Sequence, residues 1–449
     1  MQDVFRYIEE HQEQAIDQLI RLVRLPSVSA QGGAIRETAQ LVQSMLKELG
    51  FRAEIVPKEG GNAFVLGELP GASAKTLLFY NHYDVQPAEP LELWSSPPFE
   101  AAIRDGKLYG RGVSDNKGNI IARLAAIRAL QAVRGQVPVN IRFCIEGDEE
   151  IGSPAIEAFV EEHADRLAAD ACIWEGSGVN WQGQLQITLG VKGILYVELA
   201  AKGASRDAHS SYATVVPNPA WRLVWALASL KDADENILVD GFYDSVRPTT
   251  PQERAAVEAM PAEDEHTAES LGLTGFVKGV RGLDYRLRHV FEPTCNIAGL
   301  SAGYEGSGVK TVIPCQATAK LDFRLVPHQT PDEILDKLRR HLDAQGFADI
   351  EVRSLSAERP ARTPMDHPFV EVVREAARQV YGVEPLVNPT IAGTGPLHPF
   401  IHTLGLPTAD CGVGYPESRI HAPDENIRLA DFVRGAQHVA AILERFAAS

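Results

Sequence analysis

The run Leu77-Leu78-Phe79-Tyr80-Asn81-His82-Tyr83-Asp84-Val85 decides how this chain is read. An apolar stretch of strand character leads straight into a histidine, and an aspartate follows two positions later. The same form recurs twice. Ile141-Arg142-Phe143-Cys144-Ile145 runs into Glu146-Gly147-Asp148-Glu149-Glu150, and Ala171-Cys172-Ile173-Trp174 runs into Glu175. A helical pattern over 119–133 separates the first two runs and another near 154–163 separates the last two. Short apolar strands alternating with helices predict an α/β layer with a mostly parallel sheet and helices on both faces. Ligands of such sheets gather beyond the carboxyl ends of the strands, where these polar residues fall.

Working outward, apolar spacing at Phe5, Ile8, Ala15, Ile16, Leu19 and Val23 predicts an amphipathic helix that ends before Pro26. A second helix over 35–49 stops at Gly50, a helix-ending signal. After Gly183 the texture changes. Alternating strands are expected over 185–202 and at 309–326, with helices at 219–230 and 331–342 that open after Asn218 and Thr330. Residues 233–285 are acidic and weakly patterned, with one helical stretch near 252–257. From about Met365 the α/β texture resumes. The economical reading is an α/β domain (1–186 and 358–449) interrupted by an inserted α+β domain (187–357). Trp221 and Trp225, four apart on a helix, read as core.

With 449 residues the chain is too long for one typical domain. A net charge of −17 argues against nucleic-acid and anionic-membrane partners, which both need a positive face. No run of roughly 18 apolar residues predicts a membrane span. Five cysteines (Cys144, Cys172, Cys295, Cys315, Cys411) form no C-x-x-C pair, and the N-terminus lacks the basic and apolar regions of a signal peptide. Both favour the cytoplasm.

The chemistry lies in a set of carboxylates with few imidazoles. His82 has Asp84 two residues on, a spacing that suits fixing the imidazole tautomer. Asp115 sits between the Gly110–Gly112 turn and a helix, where it reads either as a helix cap or as a carboxylate open to two cations. Glu149 and Glu150 are adjacent and cannot both point at one ion. One can ligate while the other serves as general base. Glu175 ends a strand, and His421 stands in Arg419-Ile420-His421-Ala422-Pro423-Asp424-Glu425. Each is weak alone, but the set at successive strand ends predicts two divalent cations sharing a carboxylate. Zinc, manganese and cobalt all suit such donors.

The ordered motifs His-x-Asp-Val, Gly-Arg-Gly-x-x-Asp-x-Lys-Gly and Glu-Gly-x-Glu-Glu, with a late histidine, resemble the M20 family of metallopeptidases, closest to its carnosine-dipeptidase-like branch. The resemblance implies that His82, Asp115 and Glu175 hold one ion and Asp115, Glu150 and His421 the other. It implies Glu149 as general base and Asp84 as the partner orienting His82. Asp207-Ala208-His209-Ser210 matches a motif whose histidine polarises the scissile carbonyl, typically in the partner subunit. Arg324, within Leu321–Pro327, matches the arginine that binds the substrate carboxylate. Gly393-Thr394-Gly395 resembles a loop lining the site. The inserted domain would be a lid and a homodimer contact. Asn116 stands where many relatives carry a second aspartate, and the segments after His209 and at Gly393–Pro396 depart from the usual dipeptidase pattern. The implied activity is hydrolysis of a dipeptide or short peptide with a free carboxylate. An N-acyl amino-acid amidohydrolase and a non-catalytic homologue are the alternatives.

Overall fold

The computed structural model describes all residues, Met1–Ser449, as two compact units. The first comprises Met1–Gly190, Arg362–Pro389 and Pro396–Ser449, and the second Val191–Ala361 with Thr390–Gly395.

The first unit is built on an eight-stranded sheet. Its order is Arg52–Val56, Phe64–Leu69, Asn140–Glu146, Thr76–His82, Ala171–Trp174, Thr408–Asp410, Gln186–Thr188, Leu386–Asn388. The four strands from Asn140–Glu146 to Thr408–Asp410 run parallel, and antiparallel neighbours close both sides. Because successive side chains of a strand point to opposite faces, Phe79 and Tyr80 separate the two layers. Phe79 lies against Phe143 and beneath the guanidinium of Arg123, on the helix Lys117–Arg134. Tyr80 turns the other way, to Trp174 and Phe400. Phe64, on the Tyr80 face, stacks on Phe159 of the helix Ile156–Glu162. Helices therefore cover both faces, as the strand–helix alternation predicts. The helix Ile35–Glu48 stops where expected, with Gly50 at φ +84°, a backbone region glycine enters without strain.

The second unit holds a four-stranded antiparallel sheet in the order Asn296–Ala302, Gln316–Leu325, Gly193–Lys202, Glu351–Glu358. Alternate residues of its central strands (Leu195, Val197, Leu199 and Ala319, Leu321, Phe323) are buried against the helices Pro219–Leu230 and Pro331–Ala344. This is the pattern of a sheet covered on one face. The side chains of Asn218 and Thr330 cap those helices as anticipated.

Three expectations need correction. Trp221 and Trp225 are 58% and 56% exposed and stack on one another, because Leu223, Ala226 and Leu230 form the buried stripe of that helix. The weakly patterned segment contains the helices Pro251–Ala259 and Asp264–Ser270 and the start of Gly282–Phe291 rather than one helical stretch. The α/β assignment of 358–449 does not extend to Thr390–Gly395. There the Lys192 N–H donates to Gly393 O at 2.9 Å, and Arg324 Nη1 donates to Thr394 Oγ1 at 2.5 Å, so this loop packs with the second unit. No helix is long and apolar enough to cross a membrane.

Candidate active site

Seven of the residues singled out above converge in the first unit. His82 ends its strand fully buried. Its Nε2 lies 2.9 Å from Asp115 Oδ1, 3.3 Å from Glu175 Oε1 and 3.9 Å from Glu149 Oε2. The other oxygen of Asp115, Oδ2, lies 3.1 Å from His421 Nε2, which is itself 3.1 Å from Glu150 Oε2. Two groups result, His82–Asp115–Glu175 and Asp115–Glu150–His421, and each offers three donor atoms within 4.8 Å of one another. Asp115 belongs to both through different oxygens.

The donor chemistry fits divalent cations. One imidazole nitrogen with two carboxylate oxygens is a borderline set that suits zinc, manganese or cobalt. The close separations, 2.9–3.3 Å, approach the roughly 3.4 Å edge of a tetrahedron with about 2.1 Å bonds. Electrostatics points the same way. Burial pushes Glu149 and Glu175 above the usual carboxylate range, with crowding by neighbouring carboxylates adding to it. Burial opposes a charge on His82, yet hydrogen bonding to Asp115, Asp84 and Glu175 carries its imidazole well above the ordinary value. Hydrogen bonds to Asp115 and Glu150 raise His421 to about 10. Positive charge is what this cluster lacks.

The supports are local and specific. His82 Nδ1 stands 3.1 Å from the Asp84 backbone oxygen and 3.3 Å from its Oδ1. Asp84 does more than sequence suggested, because its two carboxylate oxygens also accept the backbone N–H groups of Glu149 and Glu150. Gln86 donates to Glu150 from both its backbone and its side-chain nitrogen. His421 adopts φ +62° in a loop where Arg419 and Asp424 are also left-handed, a costly arrangement of the kind found at functional sites. The loop is pinned where Asp424 accepts Ser95 N and Oγ at 2.8 and 2.7 Å.

Five residues that hold this site escaped the sequence reading. Glu425, fully buried, accepts Arg111 Nη1 at 2.8 Å and the N–H groups of Gly112, Ser114 and Asp115 at 2.9–3.1 Å. It thereby fixes the Asp115 turn to the His421 loop. Asn81 and Arg123 tie the strand ends together, as described below. Lys117 donates to Leu22 O and Leu25 O, and burial lowers its ammonium to about 7. Arg111, Lys117 and Glu425 stand inside the quoted motifs, but nothing local announces that a charge is buried.

The remaining candidates lie in the second unit. His209, exposed, ends a two-residue strand paired with Val312–Ile313. Its Nδ1 accepts Ser211 N, which leaves the Nε2 hydrogen directed to Thr311 Oγ1 at 3.2 Å. Arg324 meets Thr394 as stated, while Gly393 is half-buried and Gly395 buried.

Comparison with known proteins identifies the family. Residues 78–445 match the family described as Peptidase family M20/M25/M40. The human Beta-Ala-His dipeptidase is 32% identical over 416 residues, covering 86% of this chain and 80% of the relative. The Cys-Gly metallodipeptidase dug1 of Schizosaccharomyces pombe is 28% identical over 460 residues, 96% of this chain and 95% of its own. Among solved structures, an M20 family metallo-carboxypeptidase from Sulfolobus solfataricus superposes with a TM-score of 0.92 at 38% identity, covering 97% of this chain and 99% of that one. Human carnosine dipeptidase 1 gives 0.79 at 28%, with both chains fully covered. Motifs, fold and relatives thus agree that this chain belongs to the M20 family of metallopeptidases.

Proposed function

We propose that this chain is a dinuclear peptidase that cleaves dipeptides or short peptides with a free C-terminal carboxylate. The observation that carries it is Asp115, whose two oxygens face two separate imidazole-containing groups. His82, Asp115 and Glu175 would hold one ion, and Asp115, Glu150 and His421 the other. Bound divalent ions polarise a peptide carbonyl and lower the pKa of water from about 15.7 towards 7. Glu149, 3.9 Å from His82 Nε2, stands back from the ligand atoms. Its carboxylate accepts a proton from the attacking water and delivers it to the leaving amine. Arg324 offers a planar fork to the substrate carboxylate, with Thr394 holding one arm of the guanidinium and Gly393 and Gly395 shaping the adjacent loop. His209 donates from Nε2 to the carbonyl oxygen as negative charge develops there.

We further infer a homodimer through the second unit, in which His209 serves the partner's reaction. Trp221, Val224 and Trp225 form an exposed apolar face, and the edge strand Asn296–Ala302 exposes Ile297 and Leu300 beside an unpaired backbone. Such faces and edges are normally covered. Five free cysteines are consistent with the cytoplasm.

A second reading is removal of the C-terminal residue from longer or N-blocked substrates. The 38% identity to a metallo-carboxypeptidase favours it. Assaying free dipeptides beside tripeptides and N-acetylated amino acids, with zinc or manganese restored, separates the two. Cleavage of free dipeptides supports the first reading, and cleavage confined to the blocked or longer compounds supports the second.

A further inference from the structure

We propose that Arg123 and Asn81 are positioning residues that set the spacing of the His82–Asp115–Glu175 group. The inference rests on the metal-binding reading above. Arg123 lies on the helix Lys117–Arg134, 1% exposed, over the ring of Phe79. Burying a guanidinium is expensive unless its donors are satisfied. Here all its hydrogen bonds go to the ends of two strands. Nη1 donates to Tyr80 O at 2.5 Å and to Asn81 Oδ1, and Nη2 donates to Trp174 O at 2.9 Å and Glu175 O at 2.8 Å.

The place of these contacts is informative. The ladder between the strands Thr76–His82 and Ala171–Trp174 pairs Leu77 with Ala171, Leu78 with Cys172 and Phe79 with Ile173, and then ends. Arg123 takes over one residue later, at Tyr80 and Trp174, just before His82 ends its strand and Glu175 leaves the sheet. Asn81 carries the link on, since its Nδ2 donates to Asn116 Oδ1, next to Asp115. One guanidinium and one amide therefore touch the chain beside or at all three members of the group. Glu150 and His421 depend on other contacts, with Gln86, Asp84 and the Ser95-pinned loop. Asp115, shared by both groups, is also held through its backbone N–H by Glu425, so loss of the hub falls chiefly on the ion of His82 and Glu175. Groups that orient metal ligands typically contribute 10–100-fold to affinity.

The test is calorimetric titration of zinc into metal-free wild type, Arg123→Met and Asn81→Ala, with circular dichroism to confirm folding. Wild type should take two ions. Each variant should bind one as wild type does and the other 10–100-fold more weakly. Arg123→Lys should behave like Arg123→Met, because an ammonium cannot span four acceptors on two strands. If Arg123→Met does not fold, Asn81→Ala decides, because it leaves the main-chain contacts of Arg123 in place. Two ions bound with unchanged affinity, or both weakened alike, would overturn the positioning role. A wild type that takes no ion overturns instead the metal-binding reading beneath it.

Discussion

Glu425 accepts the backbone N–H of Asp115 at 3.1 Å, although 310 residues separate them in the chain. The same carboxylate pairs with Arg111 and stands four positions after His421. Asp115 and the His421 loop are therefore held by one buried ion pair. Removing one partner of such a pair leaves an uncompensated charge, at a cost of about 3–5 kcal/mol. Glu425→Gln should lower the melting temperature markedly and weaken both ions. Differential scanning calorimetry with and without added zinc checks this, and an unchanged melting temperature would refute it.

Glu149 stands 3.9 Å from His82 Nε2, outside both groups of donor atoms, so its proposed role as general base is separable from binding. Glu149→Gln should retain two ions and a native fold while kcat falls by about 10²–10⁴-fold, the usual contribution of a general base. Metal analysis beside steady-state kinetics distinguishes this from loss of a ligand, which would remove an ion as well.

His438 predicts how stability depends on pH. Its Nε2–H donates to Val373 O, and burial lowers its pKa to about 4, against about 6.5 when unfolded. The folded state requires the neutral ring. Its contribution is therefore intact above pH about 6.5 and is lost as pH falls towards 4, because the unfolded chain binds the proton first. The loss amounts to about 3 kcal/mol at one proton per molecule. In urea unfolding, His438→Phe should show a shallower fall than wild type across that window. Parallel pH profiles would contradict it.

The exposed tryptophan pair gives a test of assembly. Trp221→Asp with Trp225→Asp should yield monomers by analytical ultracentrifugation. Mixing inactive Glu149→Gln with inactive His209→Asn should restore activity, because one hybrid site then has both groups. No recovery in mixed dimers would remove His209 from the partner's reaction.

The features legible in sequence were those written locally. His82, Glu149 and Glu175 each follow an apolar run that must be a strand, so their clustering followed from where parallel strands end. The stop at Gly50 and the caps at Asn218 and Thr330 are also short-range signals. What escaped depends on partners far along the chain. Nothing near Arg123 distinguishes it from a surface arginine, because its acceptors are Tyr80, Asn81, Trp174 and Glu175. Trp221 and Trp225 misled for the opposite reason. Aromatic residues four apart define a helix face, but only the neighbouring sheet decides which face is covered.

The proposed dinuclear site turns on Asp115, whose two oxygens face the two groups. Metal-free protein should be inactive and should recover peptidase activity as zinc or manganese is added, with a plateau at two ions per chain. Asp115→Ala should take up neither tightly and stay inactive throughout. Full activity in thoroughly chelated protein, or a plateau at a single ion, would rule out a dinuclear site.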